Sequence, residues 1–589
     1  MTFPFTDIPR RRHHLWLDLL CLAAVVAVIA AFALRPFFAG PGYGDESYQA
    51  LCVRHWDRSP LAMYTFWKGH LWTSVFGDSY LSLRFLSCLT TMTAVALSCG
   101  YVGWRMRSWR AGAWLFVLCG SMGFLEPNLM YNWDVAPSIL YVIWACASVE
   151  YWRGGRLWQL CLISAAVTLI ILSRVQLIVA IPVEAFFVWL SARRHTGSQS
   201  WYGKPWAATA IAITVNIIVF LAVTAVMIGS PEKYFAAFVP DNIISGHSLQ
   251  SLSRYISLPL YFLGEFVGHQ ILSVVGLSVG LWLSLGTTSR LKSIIGFVVP
   301  VAAGIMISLY FCESAGMDAG FNSAGMTLLL GFLLFIPAYH CMHPETEKEK
   351  DLGIILWLIC IIYLMPTFGS DIYIMRLNAC CLLPVVVYLI DWPSNKKFTR
   401  MLENTLSVSM SAFFTAMLVK VTLLPIYLPE KITDMPRLTG LRTTTYRLTD
   451  LKEMYQLYQI ASEEYGSDRV TYYGDARYSF SYSFQESPIP YLHKFHTLDD
   501  ESEQKLLKDL TGRYDAFIFC YVMSRDIAKV EPVFLTGGFR KVYADSSFNQ
   551  GVQMPDVQMN VMYVRDTDET VPNTRRRICE YFGTQRAVR

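Results

Sequence analysis

The stretch Gly42-Tyr43-Gly44-Asp45-Glu46-Ser47-Tyr48 follows closely on an apolar run, Leu15–Phe37, that is long enough to cross a bilayer. Two adjacent acids therefore stand at a membrane edge, preceded by Gly40, Pro41, Gly42 and Gly44, which let the chain turn sharply as it leaves the span. Ionised carboxylates at that depth are costly and need a task or a partner. Beyond Asp45 the residues Tyr48, Leu51, Cys52, His55 and Trp56 fall at helical spacing. The pattern predicts an amphipathic helix on the membrane surface with Asp45 at its N-cap. The plainer alternative is that Asp45 only caps this helix and Glu46 only favours its positive end.

Working outward, the chain has 589 residues, 54% hydrophobic and 16% charged, and reads as a polytopic α-helical membrane protein with a soluble remainder. A formal charge of +4, thinly spread, excludes a nucleic-acid binder as the natural reading. Of 14 cysteines only Cys520 and Cys579 follow the last apolar run. They could pair, but no metal-type spacing is present. The basic N-terminus followed by a long apolar run without a small-residue cleavage site reads as a retained first span.

Further apolar runs occur at Tyr80–Gly103, Ala111–Leu125, Val135–Val149, Leu157–Ser173, Val175–Leu190, Trp206–Ile228, Leu258–Leu285, Ile294–Phe311, Gly325–His340, Leu352–Phe368, Ile374–Ile390 and Leu406–Leu428. With the first, that predicts about thirteen transmembrane helices. Placing the N-terminus in the cytoplasm puts Arg105, Arg107, Arg110, Arg153, Arg156, Arg193, Arg194, Lys204 and Lys396 on the inner side, as the positive-inside rule requires. The first loop (38–79) and the tail then share the outer face. Residues 1–428 are expected to form the membrane domain and residues 429–589 an α/β domain outside the cytoplasm. In the latter, Arg469–Tyr473, Asp515–Cys520 and Val557–Val564 read as strands and Asp499–Leu510 as a helix.

The outer connections collect Asp45, Glu46, Arg58, Lys68, Arg84, Asp134, Arg174 and Arg376. Arginines and a lysine beside a few acids, above an apolar body, suit a phosphate whose tail lies in lipid next to a base. Each has a plainer alternative. Asp134 could cap the fourth span, Arg84 and Arg376 could snorkel to the interface, and Lys68 could belong to an aromatic belt with Phe66, Trp67 and Trp72.

The ordered set Asp45-Glu46, Arg58-Ser59-Pro60-Leu61, Phe76-Gly77 with Arg84, then Asp134 and Ser173-Arg174, resembles the GT-C glycosyltransferases. Within them it is similar to the group of lipid A aminoarabinose transferases and protein O-mannosyltransferases, the former having Lys-Pro-Pro-Leu where this chain has Arg58-Ser59-Pro60-Leu61. The resemblance implies a sugar donor on undecaprenyl phosphate or another polyprenyl phosphate, and inverting transfer to an acceptor hydroxyl. It implies Asp45 as base, with Glu46 and Asp134 orienting acceptor or sugar. Arg58 would hold the donor phosphate, with Arg84, Arg174, Arg376 and Lys68 in support. The chemistry is expected to need no metal or other cofactor. A monomer in the bacterial inner membrane is expected, its C-terminal domain periplasmic, acting on lipid A, a glycan or a protein. A lipid or sugar transporter (or flippase) and a non-catalytic lipid-glycan binding relative are the alternatives.

Overall fold

The computed structural model describes residues 15–42, 45–124, 130–195, 203–236, scattered residues between 275 and 361, and 372–389, 396–435, 437–474, 476–485, 501–547, 558–567 and 569–583. Expected spans between 258 and 368 lie outside the described residues, apart from those scattered ones.

The membrane body begins with α1 (Leu15–Leu34), which runs on into the turn Arg35–Phe37. Two helices that are not among the expected spans follow: α2 (Asp45–Arg54) and α3 (Met63–Phe76). Then come α4 (Tyr80–Arg105), α5 (Trp109–Phe124), α6 (Ser138–Gly154), α7 (Leu157–Ser173), α8 (Ala180–Arg194), α9 (Pro205–Ile228) and a short α10 (Pro231–Ala236). After the gap stand α11 (Ile372–Leu389) and the long α12 (Lys396–Tyr427). Among the described residues, Leu15–Phe37, Tyr80–Arg105, Pro205–Ile228 and Leu402–Tyr427 are long and apolar enough to cross a membrane. The shorter α5 to α8 and α11 pack between them in one apolar core. A buried carboxylate, Glu184 of α8, accepts from Ser164 Oγ on α7 (2.6 Å) and Asn216 Nδ2 on α9 (3.0 Å), tying three helices where water is scarce.

The α/β part opens with a small hairpin of β1 (Glu430–Lys431) and β2 (Arg442–Thr443). Its main sheet holds β3 (Val470–Tyr473), β4 (Ala516–Met523), β5 (Phe539–Ser547) and β6 (Gln558–Arg565) in the order β3-β4-β6-β5. β3 and β4 run parallel, with Val470 opposite Ala516, and the other pairs are antiparallel. Around it lie α13 (Thr445–Tyr465), α14 (Arg477–Phe484), α15 (Glu501–Thr511), α16 (Ser524–Thr536) and α17 (Thr570–Phe582). The expected strands are β3, β4 and β6. The polar edge strand β5 is an addition, its alternation too weak to read from composition. Cys520 lies buried in β4, Cys579 on α17, and both are free thiols, so the possible pairing does not form.

Two expectations change. The α/β part is not a free-standing tail, because its core is continuous with Tyr48, Leu51, Val53, Phe66, Tyr80 and Tyr131 of the membrane part. Nor is α2 a one-sided surface helix. Every residue from Ser47 to Val53 is buried, since α3 covers one side and α14 of the α/β part the other. The helical period reported one apolar face correctly, but a partner more than 400 residues away hides the rest.

Candidate active site

The N-terminal ends of α4 and α6 and the C-terminal end of α7 meet α2 and α3, and Glu46, Lys68, Arg84, Asp134 and Arg174 gather there. Their arrangement divides them into two groups.

The first is a clamp around Arg84, a residue in the second turn of α4 that is 1% exposed. Its Nε donates to Glu46 Oε1 (2.6 Å), and Nη2 to Glu46 Oε2 (2.8 Å) and Gly40 O (2.7 Å). Nη1 donates to Pro36 O (3.1 Å) and Ala39 O (2.8 Å). A guanidinium has five N–H groups, and all are taken. Arg84 therefore ties the chain leaving α1 to α2, and its expected role as a phosphate ligand gives way to a positioning one. Glu46 also accepts from Gly42 N (3.0 Å). A Cβ on Gly42 would come within 2.9 Å of Glu46 Cβ and 2.5 Å of its Oε2, so a larger residue here would have to displace the Glu46 side chain. Glu46, expected to orient acceptor or sugar, is thus held in an ion pair.

The second group lies beside it. Asn132 Oδ1 accepts from the backbone N–H of Asp134 (2.9 Å) and Val135 (2.8 Å), so Asn132 caps this turn and the Asp134 carboxylate is left for other work. It pairs with Arg174, which closes α7 and is 2% exposed. The Arg174 guanidinium stands over the Trp133 ring, 5.4 Å from its centre. Trp133 is in turn anchored to α2, its backbone N–H donating to Gln49 Oε1 (3.2 Å).

Lys68 reaches the same turn from α3. Its Nζ donates to Ala136 O (3.2 Å) and sits 4.6 Å from the centre of the Tyr64 ring. Among the described residues no carboxylate pairs with it. Burial, unrelieved by any acid, pulls the ammonium down to about 8. The helix that carries it is held close by Thr65 Oγ1 donating to Ser173 O (2.9 Å) and by Gly69, where a Cβ would come within 2.8 Å of Val53.

Arg58 ends the turn Trp56–Arg58 and is exposed. Asp45 is the first residue of α2, one turn before Gln49, and Arg376 lies on α11; their side chains are outside the described residues. His55 was read only as part of a helical pattern. It is buried at the end of α2, its Nε2 lacks a hydrogen-bond partner, and burial followed by Arg54 and Arg58 lowers it to about 4. It is thus a neutral imidazole at physiological pH, and nothing in its spacing distinguishes it from a packed histidine. Among the described residues no group of three or more His, Cys, Asp or Glu side chains is placed to hold a metal ion.

No family model matches the sequence, and no curated protein does. Among solved structures the chain is similar to ArnT from Cupriavidus metallidurans bound to undecaprenyl phosphate, at 12% identity and a TM-score of 0.43, covering 95% of this chain and 99% of that one. It is also similar to the archaeal oligosaccharyltransferase AglB from Archaeoglobus fulgidus, in complex with an inhibitory peptide and a dolichol-phosphate. There the identity is 9% and the TM-score 0.42, covering 95% of this chain and 78% of that one. At these scores and identities the likenesses carry no weight for the chemistry of this chain.

Proposed function

We propose that this chain is a membrane glycosyltransferase that moves a sugar from a polyprenyl-phosphate donor to an acceptor hydroxyl at the outer face, with inversion. One observation carries the reading: Lys68 is a half-buried ammonium with no carboxylate partner among the described residues, on the same turn as the Asp134–Arg174 pair. A desolvated cation without a counter-charge is unfavourable unless an anion arrives. A phosphate whose isoprenoid tail lies in the bilayer fits a site at the outer ends of α4, α6 and α7.

In the reaction, the acceptor oxygen forms a bond to the anomeric carbon while Asp45 takes its proton. The bond from that carbon to the phosphate oxygen breaks, and the lipid phosphate leaves with the electron pair. Lys68 and Arg174, joined by Arg58 and Arg376, stabilise the charge that grows on the leaving oxygens. Asp134 holds the Arg174 guanidinium in place. Glu46 and Arg84 set the position of α2, and so of Asp45. The cations do what a metal would, and transfer that required a divalent ion would overturn that part of the proposal. The inner membrane of a bacterium, with the α/β part in the periplasm, is the location that the positive-inside reading supports.

The test is release of free lipid phosphate from a panel of undecaprenyl-phosphate sugars by purified protein. Asp45→Asn is expected to lower the rate by about 10²–10⁴-fold, the usual contribution of a general base. Release that ignores this substitution would remove Asp45 from the chemistry.

A further inference from the structure

A cavity of about 490 Å³ opens between the turn joining α3 to α4 and the α/β part. Asp78, from the turn joining α3 to α4, and Arg437 form one wall, and α13 supplies Tyr455, Gln459, Ser462 and Glu463. Its size falls within the range of small-molecule sites.

The charges around it cancel. Asp78 Oδ2 accepts from Arg54 Nε (2.9 Å) and faces Arg437 Nε (3.3 Å), while its Oδ1 accepts from Tyr482 OH (2.8 Å). Glu463 is paired with Arg577. Among the described residues, no carboxylate or guanidinium here is left waiting for an opposite charge, in contrast to Lys68. What the cleft does offer is flat apolar and hydroxylic surface. The half-buried Tyr455 ring lies against Phe484, centres 4.8 Å apart, and both line the cavity. Beside them the Ser462 hydroxyl oxygen has no hydrogen-bond partner, and the half-buried Gln459 adds an amide. Aromatic faces next to neutral donors and acceptors suit a sugar ring, which has apolar C–H faces and a hydroxyl rim.

The cleft is also tied to the helix that begins at Asp45. Arg54, which holds Asp78, ends the same helix that Asp45 begins, and nine residues of α-helix span about 14 Å. We propose that this cleft binds an uncharged stretch of a carbohydrate acceptor, whose reacting hydroxyl then reaches Asp45; the inference rests on the glycosyltransferase reading. It assigns acceptor recognition to a joint surface of the outer loop and the α/β part, and it disfavours a phosphorylated group at this position.

The experiment measures saturation transfer from detergent-purified full-length protein to neutral tri- and tetrasaccharides of glucose, mannose, galactose and N-acetylglucosamine, and to a phosphorylated counterpart of each. The expected result is millimolar or tighter binding of at least one neutral glycan, with its phosphorylated form no better. Tyr455→Ala should weaken that binding about tenfold. Gln459→Leu, which leaves the aromatic packing intact, should weaken it by a smaller factor, and binding of undecaprenyl phosphate should not change in either variant. No binding by any neutral glycan, preference for the phosphorylated form, or binding indifferent to both substitutions would overturn the proposal. Lipid-phosphate release is followed in parallel. Glycan binding that survives without release of any donor would sink the glycosyltransferase reading and leave the cleft a glycan site.

Discussion

Arg84 and Lys68 stand on adjoining helices at the same membrane face, and their surroundings are opposite. Around Arg84 one carboxylate and three carbonyl oxygens take up every N–H the guanidinium owns. Around Lys68, among the described residues, there is one carbonyl and one ring. Judged by charge and position alone, both are compatible with a phosphate-binding role, yet of the two only Lys68 retains capacity for an anion. The comparison teaches that a cation at a membrane edge becomes informative when its donors are counted.

The largest effect expected from breaking this contrast is at the clamp. Arg84→Met leaves Glu46 without its partner and should cost about 3–5 kcal/mol, as loss of one member of a buried pair does. Thermal unfolding of the purified protein would show it as a lowered Tm, with activity lost along with the fold. Lys68→Met should do the reverse. It removes a desolvated charge, so the Tm should hold or rise, while affinity for undecaprenyl phosphate falls by about 1.5–3 kcal/mol, or tenfold to a hundredfold. A Tm drop at Lys68 with unchanged lipid binding would assign Lys68 to structure and reverse the comparison.

A smaller effect sharpens the same point. With its free-site value lowered from the ordinary lysine range to about 8, Lys68 is protonated below that pH and loses its proton as the pH rises through it. Affinity for the lipid phosphate should therefore fall about twofold by pH 8 and about tenfold by pH 9, with this dependence absent in Lys68→Arg. Titration of the binding of undecaprenyl phosphate between pH 6 and pH 9 would check it.

Much of this architecture is local and so could be read along the chain. The bounds of α1, α4, α7 and α9 follow from apolar runs of bilayer length, and β3, β4 and β6 from short runs of β-branched and aromatic residues. α3 escaped because its mix of aromatic, polar and basic residues matches neither a span nor a simple amphipathic pattern. β5 escaped because a polar edge strand has little alternation to detect.

The site was legible as a list of charges and illegible as an arrangement. Asp134 and Arg174 could each be singled out for sitting at a span end, but their pairing depends on α6 and α7 lying side by side. The sequence by itself determined that the chain is built around apolar helices, which residues could carry charge at one face, and where the α/β elements begin. Hydrophobic length, helical period and charge placement are properties of neighbouring residues. Only the tertiary structure decided that Arg84 is saturated, that Lys68 is not, that α2 is enclosed on both sides and that a neutral cleft lies beyond Asp78. Those outcomes depend on which donors meet which acceptors, and the partners are brought together from positions as far apart as Arg54 and Gln485.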